Sequence, residues 1–413
     1  MSDVRIEPSV LSGSILVPPS KSAAHRAVIC SALAGGGNLF EDGVEYLSND
    51  IRATIRAMKT LLSGTDGTPV QVYCGESGST LRFLIPVAAA LGIPAMFTGE
   101  GRLPQRPIGV YLDCLPQHGV KCETAGGLPL AIHGKLTPGK FILPGNVSSQ
   151  FITGLLLALP VLDGGSEIRL STPLESAGYV DMTIDILKDF GIKIEAEENG
   201  WIVPGNQSYS VPPYKPYKVE RDWSQAAFFL AAGTLGGKIR LEGLNPDSRQ
   251  GDRAAEMLFR SFGADIAWEG KQLTVTPKKR NGIEIDAAQI PDLVPVLAAT
   301  AALCRGQTRI YNAQRLRIKE SDRLAAMADG LTRLGGKVKE TEDGLLIDGV
   351  KTLHGGEVNG CNDHRIVMAF AIAALKADGC VTIHDAQSVR KSYPDFFEDY
   401  NRLGGKAYVV RMG

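Results

Sequence analysis

The chain has 413 residues, of which 44% are hydrophobic and 22% charged, and its 44 lysines and arginines nearly balance its 45 aspartates and glutamates. Such a length exceeds one ordinary hydrophobic core and predicts two domains of about 200 residues each. The net charge of −1 excludes the basic excess that binds along a nucleic acid, so any anion site must be a local concentration of cations.

The cysteines and histidines form no metal-binding or redox pattern. The seven cysteines are scattered without a C-x-x-C spacing, and the six histidines form neither H-x-x-x-H nor H-E-x-x-H. We therefore expect reduced thiols and no metal. Residues 1–7 show no signal-peptide pattern, and the longest apolar runs, 83–97 and 151–162, contain Pro and Gly and are shorter than the ~20 residues of a membrane span. A cytoplasmic location without membrane attachment is predicted.

Two short strands within residues 4–17 are predicted to precede a polar loop and a buried helix. Residues 18–26 read Pro-Pro-Ser-Lys-Ser-Ala-Ala-His-Arg, and the apolar run 27–34 follows directly. Serines can cap free N–H groups of the helix, and Lys21 and Arg26 place two cations about one turn apart at its positive end. This pattern favours an anion site. The alternative is an ordinary N-cap with two solvated basic residues.

The combination of a polar loop with an Ala- and Leu-rich run occurs six times. The later copies begin near residues 75, 145, 220, 290 and 361. Each run ends at or near a glycine and leads to a short β-type segment, and a second helix is predicted at positions such as 49–59 and 179–191. These patterns predict a βαβαββ unit, and its length exceeds that of a solenoid repeat.

A Pro-rich stretch at residues 211–217 separates the first three units from the last three. Proline can continue neither a helix nor a strand ladder there, so the stretch predicts a domain boundary. We expect the N-terminal strands to complete the sheets of the second domain, which gives two crossings between domains and hence a hinge. The predicted domains are 17–219 and 1–16 plus 220–413.

Residues 315–323 contain four cations and two carboxylates. An extended segment would place Arg317, Lys319 and Ser321 on one face. A solvated charge run that opens a surface helix is the alternative. Matching charges at 363–365 and 390–392 weaken that alternative and favour a cation cluster.

Six motifs of the chain carry a family resemblance. They are Pro-Ser-Lys-Ser at 19–22, Arg-Pro-Ile at 106–108, Ser-Ser-Gln-Phe at 148–151, the run 317–323, Asn-Asp-His-Arg at 362–365 and Lys-Ser-Tyr-Pro-Asp at 391–395. Together they resemble the motifs of the 5-enolpyruvylshikimate-3-phosphate synthase family, in order and over essentially the whole chain. The resemblance implies a two-domain inside-out α/β barrel, with three βαβαββ units per domain, that closes by a hinge.

The resemblance also implies an activity. The enolpyruvyl group of phosphoenolpyruvate is transferred to the 5-hydroxyl of shikimate 3-phosphate by addition and elimination through a tetrahedral intermediate, with release of phosphate. This is the sixth step of the shikimate pathway to chorismate, it is the target of glyphosate, and it requires no cofactor. Two phosphates and two carboxylates must be bound, which suits a cluster of arginines and lysines.

Individual roles follow from the resemblance. Asp292 would accept the hydroxyl proton, and Glu320, with Lys21 or Lys391, would protonate the methylene carbon; an N-cap after Pro291 is the alternative for Asp292. The implied shikimate 3-phosphate ligands are Lys21, Ser22, Arg26, Ser148, Ser149, Gln150, Ser176, Tyr179, Asp292 and Lys319. The implied phosphoenolpyruvate ligands are Lys21, Gly78, Arg106, Gln150, Arg323, Arg365 and Lys391.

Three positions depart from the most familiar bacterial pattern. Glu76-Ser77-Gly78-Ser79 replaces the usual Asn-Ala-Gly-Thr and places a carboxylate beside the implied phosphoenolpyruvate site, which leaves the response to glyphosate open. Arg315 and Leu316 stand where Asn-Trp is common. His25 lies within the first loop, where a structural role is favoured over proton transfer.

Two alternatives remain at the level of sequence. A UDP-N-acetylglucosamine enolpyruvyl transferase shares the six-unit fold, but it has Lys-Asn in place of Lys21-Ser22 and a reactive cysteine before the Arg-Pro pair, whereas Cys114 follows that pair here. A non-catalytic anion-binding protein on the same scaffold would gain nothing from Asp292 and Glu320 among its cations. Near-neutral charge favours a monomer.

Overall fold

The computed structural model describes residues 2–36, 47–64, 68–212 and 217–411. The chain divides into two compact units, Met1–Ser20 with Glu220–Gly413 and Lys21–Val219, called here the terminal unit and the central unit. Most of the predicted Pro-rich boundary, residues 213–216, lies outside the described residues, as does Gly37 at the end of the first polar and apolar repeat.

The first change of unit falls after Ser20, four residues later than the boundary expected from sequence. Backbone hydrogen bonds explain the difference. The N–H of Ser20 donates to the carbonyl of Glu220 at 2.8 Å, and the N–H of Asp222 donates to the carbonyl of Pro18 at 2.9 Å. Residues 18–20 are therefore paired with the start of the 220–413 segment.

The strands and helices follow the chain in the order that the repeats predict. The strands are β1 Ser2–Glu7, β2 Gly13–Leu16, β3 Val70–Tyr73, β4 Ala95–Thr98, β5 Val120–Glu123, β6 Leu130–Gly134, β7 Lys140–Leu143, β8 Ser166–Leu170, β9 Glu195–Glu197, β10 Gly200–Val203, β11 Ile239–Glu242, β12 Asp265–Glu269, β13 Gln272–Thr276, β14 Glu284–Asp286, β15 Gln307–Tyr311, β16 Lys337–Glu340, β17 Leu345–Asp348, β18 Gly356–Asn359, β19 Val381–His384 and β20 Lys406–Arg411. The α-helices are α1 Lys21–Leu33, α2 Asn49–Ser63, α3 Gly78–Leu91, α4 Gly109–Cys114, α5 Ser149–Ala158, α6 Ala177–Asp189, α7 Trp223–Gly236, α8 Ala255–Phe262, α9 Val294–Ala301, α10 Arg323–Arg333, α11 His364–Ala373 and α12 Phe396–Arg402.

Three four-stranded sheets form in the described part of the terminal unit, in the orders β2-β11-β13-β12, β14-β15-β17-β16 and β18-β19-β1-β20. Each begins with a parallel pair and continues with antiparallel strands, as in β14 with β15 and β15 with β17. Strand β2 runs parallel to β11, and β1 lies antiparallel between β19 and β20. The two N-terminal strands therefore complete the first and last of these sheets.

The described part of the central unit contains two sheets with the same pattern, β3-β4-β6-β5 and β7-β8-β10-β9. Helices α1 and α2 precede them. Residues 37–46, between these helices, lie outside the described part of the chain.

The apolar helices form the interior of each unit. Every residue of α7 from Trp223 to Leu235 is buried, and α9 and α11 are buried along their whole length. Strands such as β3 and β17 instead alternate buried and more exposed residues, so each such sheet turns one face outward. Placing the helices inside and the sheets outside reverses the usual α/β arrangement and confirms the predicted inside-out architecture.

Amphipathic second helices lie at the positions that the sequence predicts. Helices α6, α8 and α10 are each followed by a glycine with positive φ, namely Gly191 at 83°, Gly263 at 110° and Gly335 at 79°. Glycine adopts this left-handed conformation without a Cβ penalty and so ends the helix. Among the described residues, no helix has the length and apolar character needed to cross a membrane. All seven cysteines are free thiols.

Candidate functional site

The polar segments that precede the apolar helices lie at helix N-termini. Ser77, Ser148, Asp222 and Asp363 are the N-caps of α3, α5, α7 and α11, and each side chain accepts a backbone N–H from the first turn. This capping follows from the Ser and Asp side chains of the repeated loops. The remaining N–H groups and the helix dipole make such positions favourable for anions.

In the terminal unit, Asp292 lies among three cations. Its Oδ1 accepts from Nη1 of Arg323 at 3.0 Å, its Oδ2 accepts from Nη2 of Arg365 at 2.8 Å, and Nζ of Lys319 lies 3.9 Å from Oδ1. Asp292 sits in a short 3₁₀ helix, Pro291–Leu293, and the N-cap residues of this turn and of α9 are Ile290 and Leu293. The structure therefore places this carboxylate in the cation cluster and not at the alternative N-cap position.

Arg323 connects the carboxylates of this cluster. Its side chain is 1% exposed, and besides Asp292 it donates to Glu320 Oε2 at 2.8 Å and to Asp363 Oδ2 at 2.8 Å. Ser321 Oγ also donates to Asp363, at 3.0 Å. Burial alone would lower the pKa of the Arg323 guanidinium, but the charges of the three carboxylates raise it. The arginine is thus a permanent, fixed cation.

Neighbouring cations lower the pKa values of both Asp292 and Lys319. Burial tends to raise the pKa of Asp292, but the cations Arg365, Lys319 and Arg323 prevail and hold that pKa below its ordinary value. Burial lowers the pKa of Lys319 to about 8, helped by Arg323 and Arg315 and opposed by Asp292. Asp292 is therefore ionised at neutral pH, and Lys319 loses its proton at a pH only slightly above neutral.

Lys391 is buried, and its Nζ donates to the carbonyl of Asn362 at 2.5 Å. That carbonyl is presented by an unusual turn, because Cys361 and Asn362 have φ of 53° and 49°. Two consecutive non-glycine residues in the left-handed region cost about 1–3 kcal/mol each, and such strain is concentrated at functional sites. The turn leads directly to Asp363, His364 and Arg365, the family motif.

The charged run at 315–323 begins within a 3₁₀ helix, Gln314–Ile318, so the extended arrangement considered from sequence does not apply to Arg317. Arg317 consequently pairs with Asp322 at 3.2 Å and with Glu340 and is not part of the Asp292 cluster. Arg315 is buried and donates to the carbonyl of Ala288. Leu316 is fully buried in the hydrophobic core.

In the central unit, Lys21 lies at the start of α1, and its Nζ is 2.8 Å from Asp50 Oδ2. Arg26, 3% exposed, donates hydrogen bonds to neutral groups: the hydroxyls of Thr183 and Thr153 at 2.7 and 3.2 Å, and the carbonyls of Ser22 and Tyr179 at 2.5 and 3.1 Å. Burial lowers the pKa of Arg26 to about 10. Its guanidinium therefore remains charged at neutral pH while it joins α1 to α5 and α6.

Gly78 and Arg106 lie in direct contact. A β-carbon built on Gly78 would stand 2.6 Å from Nη1 and 2.8 Å from Cζ of Arg106, so only glycine leaves room for this guanidinium. Next to them, Gln150 is held from both ends: its Oε1 accepts from Arg82 Nη1 at 2.6 Å, and its Nε2 donates to Ser79 Oγ at 2.9 Å. Gly78 and Gln150, two of the phosphoenolpyruvate residues implied for this unit, thus lie at the starts of α3 and α5.

The implied shikimate 3-phosphate residues of the central unit lie at two helix starts and on α1. Ser148 caps α5, and Ser149 is its first residue. Ser176 directly precedes α6 with φ of 59°, and Tyr179 lies in the first turn of that helix. Ser22 is the second residue of α1.

Sequence reasoning missed several residues that hold these groups in place. Arg82 donates to the carbonyl of Pro107 at 2.9 Å besides its bond to Gln150. Ser224 accepts from Arg365 at 3.1 Å and donates to Asp222 at 2.6 Å. Asp363 was noted only as part of the Asn-Asp-His-Arg motif. Each stands inside one of the six repeated loops, and that position was the available signal.

The remaining departures have structural explanations. His25 is fully buried, and its Nδ1 lies 2.7 Å from the hydroxyl of Thr54, which agrees with a structural role. The carboxylate of Glu76 lies against Gly101, where an added β-carbon would meet it. Cys114 is the last residue of α4 and is buried, as expected for a core position.

Comparison with known proteins gives consistent matches. The model of the family described as EPSP synthase (3-phosphoshikimate 1-carboxyvinyltransferase) matches residues 6–400. The chain is 45% identical over 439 residues to the 3-phosphoshikimate 1-carboxyvinyltransferase of Clostridium novyi, and 45% identical over 434 residues to that of Clostridium acetobutylicum, with 100% of each chain covered. The solved structure of the EPSP synthase of Acinetobacter baumannii matches with a TM-score of 0.80 and 26% identity over 100% of both chains. The chain therefore belongs to the EPSP synthase family.

Proposed function

We propose that this enzyme transfers the enolpyruvyl group of phosphoenolpyruvate to the 5-hydroxyl of shikimate 3-phosphate and releases phosphate, as a step towards chorismate. The single observation that carries the proposal beyond family membership is the position of Asp292, an ionised carboxylate within hydrogen-bond distance of Arg323 and Arg365. A protein that only bound anions would gain nothing from a carboxylate at this point. A substrate hydroxyl group placed beside these cations would have Asp292 as its proton acceptor.

In the proposed mechanism, Asp292 removes the proton of the 5-hydroxyl as the oxygen attacks C2 of phosphoenolpyruvate. Its low pKa in the free enzyme makes it a weak base, because Arg323, Arg365 and Lys319 stabilise the carboxylate. Binding of two anionic substrates places their phosphates and carboxylates against the same cations. The attraction on Asp292 is then shared, its pKa rises, and its basicity increases when it is needed.

The second proton transfer is assigned to Glu320, with Lys21 or Lys391. The methylene carbon of phosphoenolpyruvate gains a proton during addition and loses one during elimination, when the C–O bond to phosphate breaks. Glu320 is bonded to Arg323 at 2.8 Å, which holds its carboxylate in a fixed position. Lys391 and Lys21 are cations suited to the departing phosphate, since they stabilise the charge that develops on its oxygen.

Substrate recognition is assigned to the remaining cations and to the helix starts. We assign the carboxylate and phosphate of phosphoenolpyruvate to Lys21, Gly78, Arg106, Gln150, Arg323, Arg365 and Lys391. We assign shikimate 3-phosphate to Lys21, Ser22, Arg26, Ser148, Ser149, Gln150, Ser176, Tyr179, Asp292 and Lys319. For Arg26, which donates hydrogen bonds to protein oxygens, the proposed contribution is its charge and its orientation of Ser22.

We also propose that the two units act as domains that close on the substrates. The chain passes between them twice, near residues 20 and 219, which suits a hinge. Mutual repulsion of the cations would favour an open state until the anions arrive. Small-angle scattering with and without both ligands tests this, and an unchanged radius of gyration would count against closure.

The decisive experiment measures phosphate release from phosphoenolpyruvate with shikimate 3-phosphate or UDP-N-acetylglucosamine as acceptor. Release with the first acceptor alone is expected, and Asp292→Asn should reduce kcat at least a hundredfold because the base is lost. Asp286→Asn is the matched control, since Asp286 is an exposed aspartate of the same unit and should leave kcat unchanged. Release with the second acceptor would assign the chain to the other enolpyruvyl transferase, and release with neither would favour a binding protein.

We further propose a monomeric enzyme in the cytoplasm that acts without nucleic acid. The nearly balanced charge of the chain and the small-molecule substrates in the names of its relatives support this. Light scattering at assay concentration should give a mass close to 44.1 kDa, and cell fractionation should recover the protein with the soluble contents.

A further inference from the structure

Four buried polar side chains form a continuous chain of hydrogen bonds across three helices of the central unit. Nδ1 of His25 on α1 lies 2.7 Å from Oγ1 of Thr54 on α2, which lies 2.6 Å from Oγ1 of Thr80 on α3. Thr80 Oγ1 donates to Oγ of Ser77, the N-cap of α3, at 2.7 Å. All four residues are at most 1% exposed. Buried polar groups need hydrogen-bond partners, and each of these side chains has one in the next; Thr54 Oγ1 also lies 3.3 Å from the carbonyl of Asp50.

The chain of hydrogen bonds has a preferred direction. Within the described residues, Nε2 of His25 is buried and has no hydrogen-bond partner. A buried N–H without an acceptor is rarer than an acceptor without a donor, so the proton belongs on Nδ1 and is donated to Thr54. Thr54 then donates to Thr80, and Thr80 donates to Ser77. Burial, together with the charges of Lys21 and Arg26, lowers the pKa of His25 and keeps the ring neutral.

Helical spacing connects this series of hydrogen bonds to residues proposed to bind substrate. His25 follows Lys21 by four residues on α1, and Thr54 follows Asp50 by four on α2, so both pairs are one turn apart on one helix face. The hydrogen bond between His25 and Thr54 therefore lies one turn below the ion pair of Lys21 and Asp50, whose atoms are 2.8 Å apart.

The other end of this series of hydrogen bonds is Ser77, which directly precedes Gly78. Oγ of Ser77 also accepts the backbone N–H of Thr80, at 3.1 Å, and so fixes the first turn of α3. The next residue, Gly78, is in contact with the Arg106 guanidinium. Any shift of Ser77 would therefore move Gly78 against Arg106.

We propose that His25, Thr54, Thr80 and Ser77 are positioning residues that hold Lys21 and the Gly78–Arg106 pair at a fixed separation for phosphoenolpyruvate. This inference rests on the proposed function, in which those three residues bind that substrate. The four positioning residues act through Lys21, Gly78 and Arg106. Fixed donors bind a small rigid anion better than mobile ones, because less ordering accompanies binding.

Thr54→Val and Thr80→Val test the proposal, since each removes one hydroxyl with little change of shape. Thr54→Ser and Thr80→Ser are the conservative counterparts and keep the hydroxyl. Thr234→Val is the matched control, because Thr234 is also fully buried but its hydroxyl donates only to the carbonyl one turn earlier in α7, at 2.7 Å in the terminal unit. Calorimetry should measure the Kd of phosphoenolpyruvate in the presence of a shikimate 3-phosphate analogue that lacks the 5-hydroxyl and cannot react.

We expect the Kd of phosphoenolpyruvate to rise about five- to tenfold in both valine variants, a change of about 1–1.4 kcal/mol. The serine variants and Thr234→Val should stay within about twofold of wild type. The Kd of the shikimate 3-phosphate analogue should rise by a smaller factor, about twofold, because of the three positioned residues only Lys21 is also assigned to that ligand. An unchanged Kd in both valine variants would overturn the proposal, as would an equal loss in the serine variants or an equal loss of affinity for both ligands.

Parallel measurements separate this inference from the proposed function. If the wild type binds phosphoenolpyruvate but releases no phosphate, the proposed function fails and the ratio of Kd between Thr54→Val and Thr54→Ser still decides the network. A wild type that binds no phosphoenolpyruvate overturns both. Nitrogen NMR of wild-type His25 needs no substitution: a neutral ring with the proton on Nδ1 between about pH 5 and 8 is expected, and a charged ring or the opposite tautomer would overturn the network.

Discussion

The terminal and central units hold their buried arginines in different ways. In the terminal unit, Arg323 donates to the carboxylates of Asp292, Glu320 and Asp363. In the central unit, the hydrogen bonds of Arg26 go to hydroxyls and carbonyls. A carboxylate fixes a guanidinium and cancels its charge, whereas neutral oxygens fix it and leave the charge to act on a ligand. Burial of an arginine is therefore balanced by charge in the terminal unit and by neutral hydrogen-bond acceptors in the central unit.

Replacing Asp363 with Asn is the most direct test of the difference between the two kinds of arginine partner. Asp363 is fully buried against Arg323, which is itself 1% exposed, so the change leaves a buried cation with one carboxylate fewer. We expect a loss of about 3–5 kcal/mol in the free energy of unfolding, measured by urea denaturation. Asp329→Asn, in the exposed pair of Asp329 and Arg333, is the control and should have no measurable effect. Equal losses would contradict a special role for burial.

Replacing Arg26 with Met should cost less, although this arginine is also buried. The methionine keeps the methylene stem, and Thr153 and Thr183 remain hydrogen-bonded to each other at 3.0 Å. Because the partners of Arg26 are neutral, no carboxylate is left without its partner. We expect a loss of about 2 kcal/mol in the same urea titration. A loss larger than that of Asp363→Asn would mean that neutral partners hold an arginine as strongly as carboxylates do.

Gly78→Ala should affect binding and leave stability nearly unchanged. The added methyl group overlaps the Arg106 guanidinium, the movable end of a side chain, so Arg106 must shift away from its position. We expect the KM of phosphoenolpyruvate to rise about tenfold, equivalent to about 1.4 kcal/mol, while the KM of shikimate 3-phosphate stays constant in steady-state assays. Gly109→Ala is the control, because nothing lies within 4 Å of its added methyl group.

The smallest expected effect concerns pH. The pKa of Lys319 is lowered to about 8 in the folded protein, so kcat/KM for shikimate 3-phosphate should fall about fourfold by pH 8.5, and Lys319→Arg should remove that decline. Between about pH 8 and 10.5 the unfolded lysine binds more protons than the folded one, so the free energy of unfolding should rise with pH over this range. A pH profile in which wild type and Lys319→Arg coincide would contradict this assignment.

Much of the fold could be predicted because its signals are local and repeated. The six apolar runs are helices α1, α3, α5, α7, α9 and α11, and the loops before α3, α5, α7 and α11 contain the residues that cap them. The 3₁₀ helix at Gln314–Ile318 was not predicted. Its conformation is coupled to tertiary bonds of Arg315 to the Ala288 carbonyl and of Arg317 to Glu340, and no local pattern contains those partners.

The site was predictable by residue type and much less by pairing. The motif resemblance named Asp292, Arg323 and Arg365, which the fold brings within hydrogen-bond distance. The partners of the central unit depend on contacts between helices distant in sequence, as with Arg82 and Gln150. Likewise, the sequence around His25 did not indicate Thr54 as its partner, because neither residue type shows by itself whether the side chain is buried.

The pairing of the first strand with the last determines the order in which the protein can fold during its synthesis. Ser2 pairs with Arg411 and Glu7 with Lys406, so β1 leaves the ribosome without a partner until almost the whole chain has been made. At about 5–20 residues per second, that wait lasts on the order of 20–80 s. All residues of the central unit are available much earlier. The N-terminal segment therefore lacks its strand partners for most of translation.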